Sequence, residues 1–212
     1  MNDIPDWAQD IAKGILQTVK LKDPHTFYHC CRVGRGARRL GQAMGLNDFE
    51  QAILEYSGLF HDVGNVAVPD NILLKPAKLD PEEVEIMKTH PLKSAEVVEP
   101  FSHHAFFRFL MPGIKFHHEK IDGSGYPYGL EGDNIPLLAR VIAIVDTVDA
   151  MTNKRPYRKA LTMDVVLQEL RDFSGVQFDT QLVNIYLDAH KFWKPSETAE
   201  KDEVVVQQVI AA

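Results

Sequence analysis

Cysteine is scarce in this chain: 212 residues hold two, Cys30 and Cys31, side by side. Adjacent cysteines very rarely bridge each other, which excludes a disulfide framework and fits a reducing compartment. Basic residues are also few, 23 Lys and Arg against 30 Asp and Glu, for a formal net charge of -7. That balance excludes the dense cationic surface demanded by polymeric nucleic acid. No apolar run approaches the roughly 18 residues of a membrane span. The opening MNDIPDWAQD has neither the basic nor the apolar region of a secretory leader. The expectation is a cytoplasmic protein engaging neither a membrane nor a nucleic-acid polymer. Sustained β alternation is missing too, so no sheet is expected, and there is no internal repeat.

What is present is helical spacing. Ile11, Ile15, Leu16 and Val19 mark a first helix, and Asp23-Pro24 starts a second that runs to about Gly45. Asn47 can cap a third, which ends near Gly64. The stretch NVAVPDNILLKPAKL reads as an extended connection. Asp80-Pro81-Glu82-Glu83 is a helix start. Pro91 and Pro100 divide the next stretch into short helices, and a longer one closes at His117-His118. The glycine-rich segment 119–136 is a loop. LLARVIAIVDTVDAM is apolar nearly all round, hence a buried helix. Two amphipathic helices come after it, near 163–173 and 179–190. The expected organisation is an N-terminal helix (1–24), one all-α domain (25–192) and a loosely held tail (193–212).

Ligand-type side chains gather at the helix ends. His25 and His29 are four apart and share a helix face. His61-Asp62 ends a helix, His90 precedes Pro91, and His117-His118 ends another. Taken singly, each has a plainer reading as a cap, a dipole partner or a surface residue. Asp146 resists it. A carboxylate within VIAIVDTVDAM must be paired, protonated or metal-bound, because an isolated buried charge costs too much. Asp149 lies three residues on, on the same face. Imidazole and carboxylate without thiolate suit Fe, Mn, Zn, Co or Ni, and a carboxylate such as Asp62 can bridge two ions into a clamp for phosphoryl transfer. Arg155 and Arg158, in a proline-fixed turn, are forks suited to phosphate. Tyr126, between Gly125 and Pro127, offers a hydroxyl to a phosphate oxygen or a ring to a base.

His61-Asp62 followed by HHEKIDGSGYP resembles the HD-GYP branch of the HD phosphohydrolases. VPDNILLKPAKL, MKTHP, IPLLARVIAIVDTVDAMT and RPYRKAL extend the likeness over about residues 25 to 190. The resemblance implies an all-α, HD-type bundle of five core helices with flanking ones. It implies hydrolysis of cyclic di-GMP to pGpG and GMP by a metal-bridging hydroxide. One metal would be held by His29, His61, Asp62 and Asp146, and a second by Asp62, His90, His117 and His118. Iron or manganese are the usual ions. Tyr126, Arg155, Arg158 and Asp122 would serve the substrate. Glu119 either orients a ligating histidine or makes a surface salt bridge. Regulation would fall to a sensor region or a protein partner.

Two departures bear on activity. The family pattern HDIGK reads HDVGN here, so Asn65 replaces a lysine thought to neutralise phosphate and assist proton transfer near Asp149. Members with three metals carry Glu where His25 stands. A neutral imidazole bridges metals poorly, so two metals are expected, with His25 an optional ligand. The alternatives are a weak or inactive cyclic-dinucleotide-binding or interaction module, and a hydrolase of another phosphoester.

Overall fold

The computed structural model describes residues 6–153 and 160–193. The chain runs through α1 (Asp6–Lys22), α2 (Pro24–Ala43) and α3 (Asp48–Phe60). Next come the short α4 (Asp70–Leu73) and α5 (Pro81–Met87), then α6 (His90–Val98) and α7 (Ala105–Phe116). A loop leads on to α8 (Leu137–Thr152), α9 (Met163–Asp172) and α10 (Thr180–His190). Among the described residues no strand forms, only isolated bridges such as Asp122 with Glu131. The fold is all-α, as expected.

Local chemistry sets the helix starts. Asp23 accepts the backbone N–H groups of His25 and Thr26, with Pro24 in the first turn of α2. Asn47 and Glu50 close a reciprocal capping box on α3, as do Asp80 and Glu83 on α5. The stretch expected to be extended is instead a 3₁₀ turn at Val63–Ala67 followed by α4. Each piece is too short to show apolar periodicity, and its prolines and polar residues mimic the composition of a connection.

Two apolar clusters share α2. Its first half, through Phe27, Cys30 and Cys31, packs with Leu59 and Phe60 of α3 and with Phe106, Phe107, Leu110 and Ile114 of α7. Its second half, through Val33, Ala37 and Leu40, packs with Val141, Ile144 and Val145 of α8 and with α9 and α10. Each fully buried aliphatic or aromatic side chain contributes roughly 1.5–3 kcal/mol. Ala8, Ala12, Leu16 and Val19 bring α1 into the first cluster.

One contact in this core positions the site. A Cβ built on Gly58 would fall 2.8 Å from Cα of Gly34 and 2.9 Å from its nitrogen. Backbone therefore meets backbone where α3 crosses α2, and only glycine at both positions permits that approach. His61 lies three residues beyond Gly58 and His29 five before Gly34, so the crossing brings the two imidazoles together.

Candidate metal centre

Five elements converge on one point. α2 brings His29, the end of α3 brings His61 and Asp62, the start of α6 brings His90, the end of α7 brings His117 and His118, and α8 brings Asp146. His61 and His117 are almost wholly buried, and His29 and His90 are each 5% exposed.

Four of the imidazoles are fixed by their Nδ1 atoms. His61 Nδ1–H donates to the Gly58 carbonyl at 2.7 Å, His90 to Met87 at 2.8 Å and His117 to Ile114 at 2.7 Å. A carbonyl only accepts, so each Nδ1 carries the hydrogen, and in the neutral ring Nε2 is a lone pair. His29 Nδ1 instead faces Asp149 Oδ2 at 2.7 Å. Asp149 also accepts from Arg32 Nε at 2.6 Å and from the Asn153 amide at 2.9 Å. The Nε2 atoms then point at one another: His29 to His61 at 3.2 Å, His90 to His117 at 3.2 Å and His118 to His90 at 3.1 Å. Where both rings carry the hydrogen on Nδ1, as in His90 and His117, lone pairs at that separation repel unless positive charge lies between them.

Asp62 stands between the two sets. Its Oδ1 is 3.0 Å from His90 Nε2 and 3.8 Å from His117 Nε2, while its Oδ2 is 3.7 Å from both His29 and His61. Asp146 Oδ1 is 3.1 Å from His29 Nε2. Asp62, His90, His117 and His118 form one group with ligand atoms close enough to hold a cation, and His29, His61 and Asp62 form another. The donor set fits the metal that such a fold implies: nitrogen and oxygen donors, no thiolate, and a carboxylate shared between the groups.

The electrostatics point the same way. Burial alone would raise Asp62, yet the imidazoles of His61, His90 and His29 hold its carboxyl well below the usual range. Burial opposes charge on His29, but Asp146 and Asp149 outweigh it and lift the ring to about 10. His90 is raised over the same opposition by Asp62. Burial and neighbouring imidazoles push His117 well down and His118 down to about 4. On one side of Asp62, His29 favours a proton beside His61, which resists it; on the other, His90 favours one beside His117 and His118, which resist it. Positive charge is called for at two points, one on each side of Asp62.

A cleft of about 380 Å³ opens onto this cluster, lined by His29, Asp62, His90, His118 and Asp146 and further by His25, Asn65, Lys75 and Tyr126. Tyr126 stacks on His118, with centroids 4.7 Å apart and planes 18° from parallel. Burial, then Asp62 and Asp146, push its hydroxyl above the ordinary phenol value, so it stays a hydrogen-bond donor at neutral pH. Gly125 makes that placement possible: a Cβ there would lie 2.4 Å from the Lys120 nitrogen and 2.6 Å from the His118 oxygen.

Several expected site residues sit elsewhere. Asp149 is absent from the cleft lining and stands behind His29, so it reaches the site through that ring. Asp122 is exposed and accepts from Ser124 N and Oγ, capping its own turn away from the cleft. A short loop aspartate followed two residues on by serine favours that local turn over a reach toward substrate. His25 is exposed on the cleft rim, outside both ligand groups. Glu119 is 3% exposed and accepts the backbone N–H groups of Tyr128 and Leu130 at 2.8 and 2.9 Å. It therefore closes the loop beyond it and does neither of the two jobs expected. Asn65 is 6% exposed and its buried Oδ1 has no hydrogen-bond partner. Arg155 and Arg158 lie outside the described residues. Arg32 and Lys75 were missed, although Arg32 follows His29 by three positions on one helix face.

A family model described as HD domain matches residues 15–182. The chain belongs to the HD domain family. Within it, the chain carries the HD-GYP signature. It is 35% identical over 190 residues to the cyclic di-GMP phosphodiesterase response regulator RpfG of Xanthomonas campestris, covering 88% of this chain and 49% of that one. To a cyclic di-GMP phosphodiesterase of Thermotoga maritima it is 33% identical, covering 93% and 54%. The chain thus spans about half the length of these curated relatives. A crystal structure of a cyclic GMP-AMP-specific phosphodiesterase from Vibrio cholerae superposes with a TM-score of 0.63 at 18% identity, covering 86% of this chain and 48% of that one. The HD domain of the phosphodiesterase PgpH from Listeria monocytogenes superposes at 0.59 and 16% identity, covering 82% and 94%. Both show the HD fold. No helix among the described residues is long and apolar enough to cross a membrane.

Proposed function

We propose that this HD domain hydrolyses a cyclic dinucleotide, cyclic di-GMP first, at a centre holding two divalent cations. The observation that carries the reading is Asp62 with one oxygen turned to each of two imidazole groups whose Nε2 atoms converge. His29, His61 and Asp146 would hold one ion with Asp62, and His90, His117 and His118 the other. Iron or manganese, the ions the family resemblance implies, are compatible with these nitrogen and oxygen donors, as are zinc, cobalt and nickel. Bound there, the pair supplies Lewis-acid polarisation of a phosphoryl oxygen and acidification of a water.

The chain's own residues do the rest. Asp149, itself fixed by Arg32 and Asn153, orients His29. Tyr126 offers a protonated hydroxyl to a phosphate oxygen from the cleft wall. Arg155 and Arg158, just beyond α8, would contribute guanidinium forks to the phosphates. The relatives named for cyclic di-GMP and the fold neighbour named for cyclic GMP-AMP support a cyclic dinucleotide as the substrate class.

The test is incubation of Fe(II)- or Mn(II)-loaded protein with cyclic di-GMP, with 3′3′-cyclic GMP-AMP and cyclic di-AMP in parallel, and chromatography of products. Linear pGpG and GMP are expected from the first. Full metal occupancy with no product from any of the three would sink the reading and leave a binding module.

A further inference from the structure

Resting on that functional reading, we infer that Lys75 supplies the positive charge for the substrate phosphates that Asn65 withholds. The wall of the cleft carries the carboxylates of Asp23, Asp62 and Asp146, and among its described lining residues Lys75 is the sole lysine or arginine. With cations bound, Asp62 and Asp146 are neutralised, but phosphate oxygens that do not reach the cations still need a donor of positive charge from the lining. Asn65 gives no relief, since its buried, unpartnered Oδ1 is an acceptor and its amide carries no charge.

Lys75 is also held for the task. Its Nζ lies 2.5 Å from Glu83 Oε2, and that same oxygen accepts the Asp80 backbone N–H at 2.9 Å. The capping box of α5 thus fixes the carboxylate, and the carboxylate fixes the ammonium. The side chain remains 28% exposed, so solvent and ligand reach it. An ammonium has three donors. Glu83 takes one, and two stay available to phosphate oxygens. The cation therefore stands on the loop after α4, across the cleft lining from the uncharged Asn65.

The experiment compares wild type, Lys75→Gln, Glu83→Gln and Lys75→Gln/Asn65→Lys, each metal-loaded, for KM, kcat and the salt dependence of KM with cyclic di-GMP. Lys75→Gln should raise KM about tenfold or more, as expected for loss of a charged hydrogen bond. It should leave kcat within about threefold and flatten the salt dependence. Glu83→Gln keeps an amide oxygen for the Asp80 N–H but holds the ammonium less firmly, so KM should rise by clearly less than in Lys75→Gln, about threefold at most, and Asn65→Lys in the Lys75→Gln background should recover most of the loss. A variant that melts early is replaced by Lys75→Met, which keeps the apolar stem. An unchanged KM in Lys75→Gln, beside an active wild type, overturns this inference alone. So does an equal KM rise in Glu83→Gln, because the pair would then act only through the fold. Inactivity of wild type toward every cyclic dinucleotide overturns the functional reading and this inference with it.

Discussion

Asp149 Oδ2 lies 2.7 Å from Nδ1 of His29, and the other nitrogen of that ring faces Asp146 at 3.1 Å. The carboxylate thus fixes which nitrogen looks inward and makes that nitrogen more basic. Asp149→Asn keeps an acceptor but loses the charge, and leaves Arg32 facing an amide. Metal affinity should fall about 10- to 100-fold, with a deeper loss in Asp149→Ala. Competition titration against a chromophoric chelator reads the change. Equal affinities in all three proteins would remove Asp149 from the centre.

Sharing through Asp62 makes a counting prediction. Wild type should bind two ions per chain. His29→Ala should retain about one, since the group on the other side of Asp62 stays complete. Asp62→Ala takes a donor from both groups and should fall below one. Elemental analysis of the same preparations decides. Three tightly held ions in wild type would show His25 recruited from the rim.

Acidity links the centre to stability. His118 has a folded value of about 4 against an ordinary 6.5, so between those values the unfolded chain binds more protons and metal-free stability rises with pH. His29 runs oppositely. With a folded value of about 10, its contribution is complete below 6.5 and is lost as pH climbs toward 10. Chelator-treated protein should therefore be most stable near pH 6.5. A cation displaces the His29 proton, so the gain in melting temperature on adding Mn(II) should grow between pH 6.5 and 8. A gain independent of pH would contradict proton displacement.

Much of this centre was legible because its logic is local. A buried aspartate in the apolar α8 and histidines at helix ends each announce a need for charge. Spacing alone put His25 and His29 on one face, and both do line the cleft. What stayed hidden depended on backbone geometry far along the chain. Glu119 bonds N–H groups nine and eleven residues on, which no periodicity encodes. Asp149 shares a helix face with Asp146, yet the approach of α2 turns it to the back of His29. Lys75 comes to the cleft only through the fold of the 63–79 stretch, where prolines suggested mere connection.

Glu119 offers the sharpest separation between holding metal and holding a loop. Its two oxygens tie down Tyr128 and Leu130, and so steady the loop that carries Tyr126, whose own N–H bonds the His118 carbonyl at 3.2 Å. Glutamine at 119 can accept one of the two N–H groups and must point its own N–H₂ at the other. The unmet donor should cost about 1–3 kcal/mol, or roughly 2–12 °C of melting temperature in a chain of this size. Tyr126 would then stack less firmly on His118, and KM should rise while metal content holds at the wild-type level. Gly125→Ala attacks the same loop by steric overlap with the Lys120 nitrogen and should reproduce that pattern. If Glu119→Gln instead lost metal at unchanged melting temperature, the residue would be steering a ligand, and the loop-closing role read from its hydrogen bonds would be wrong.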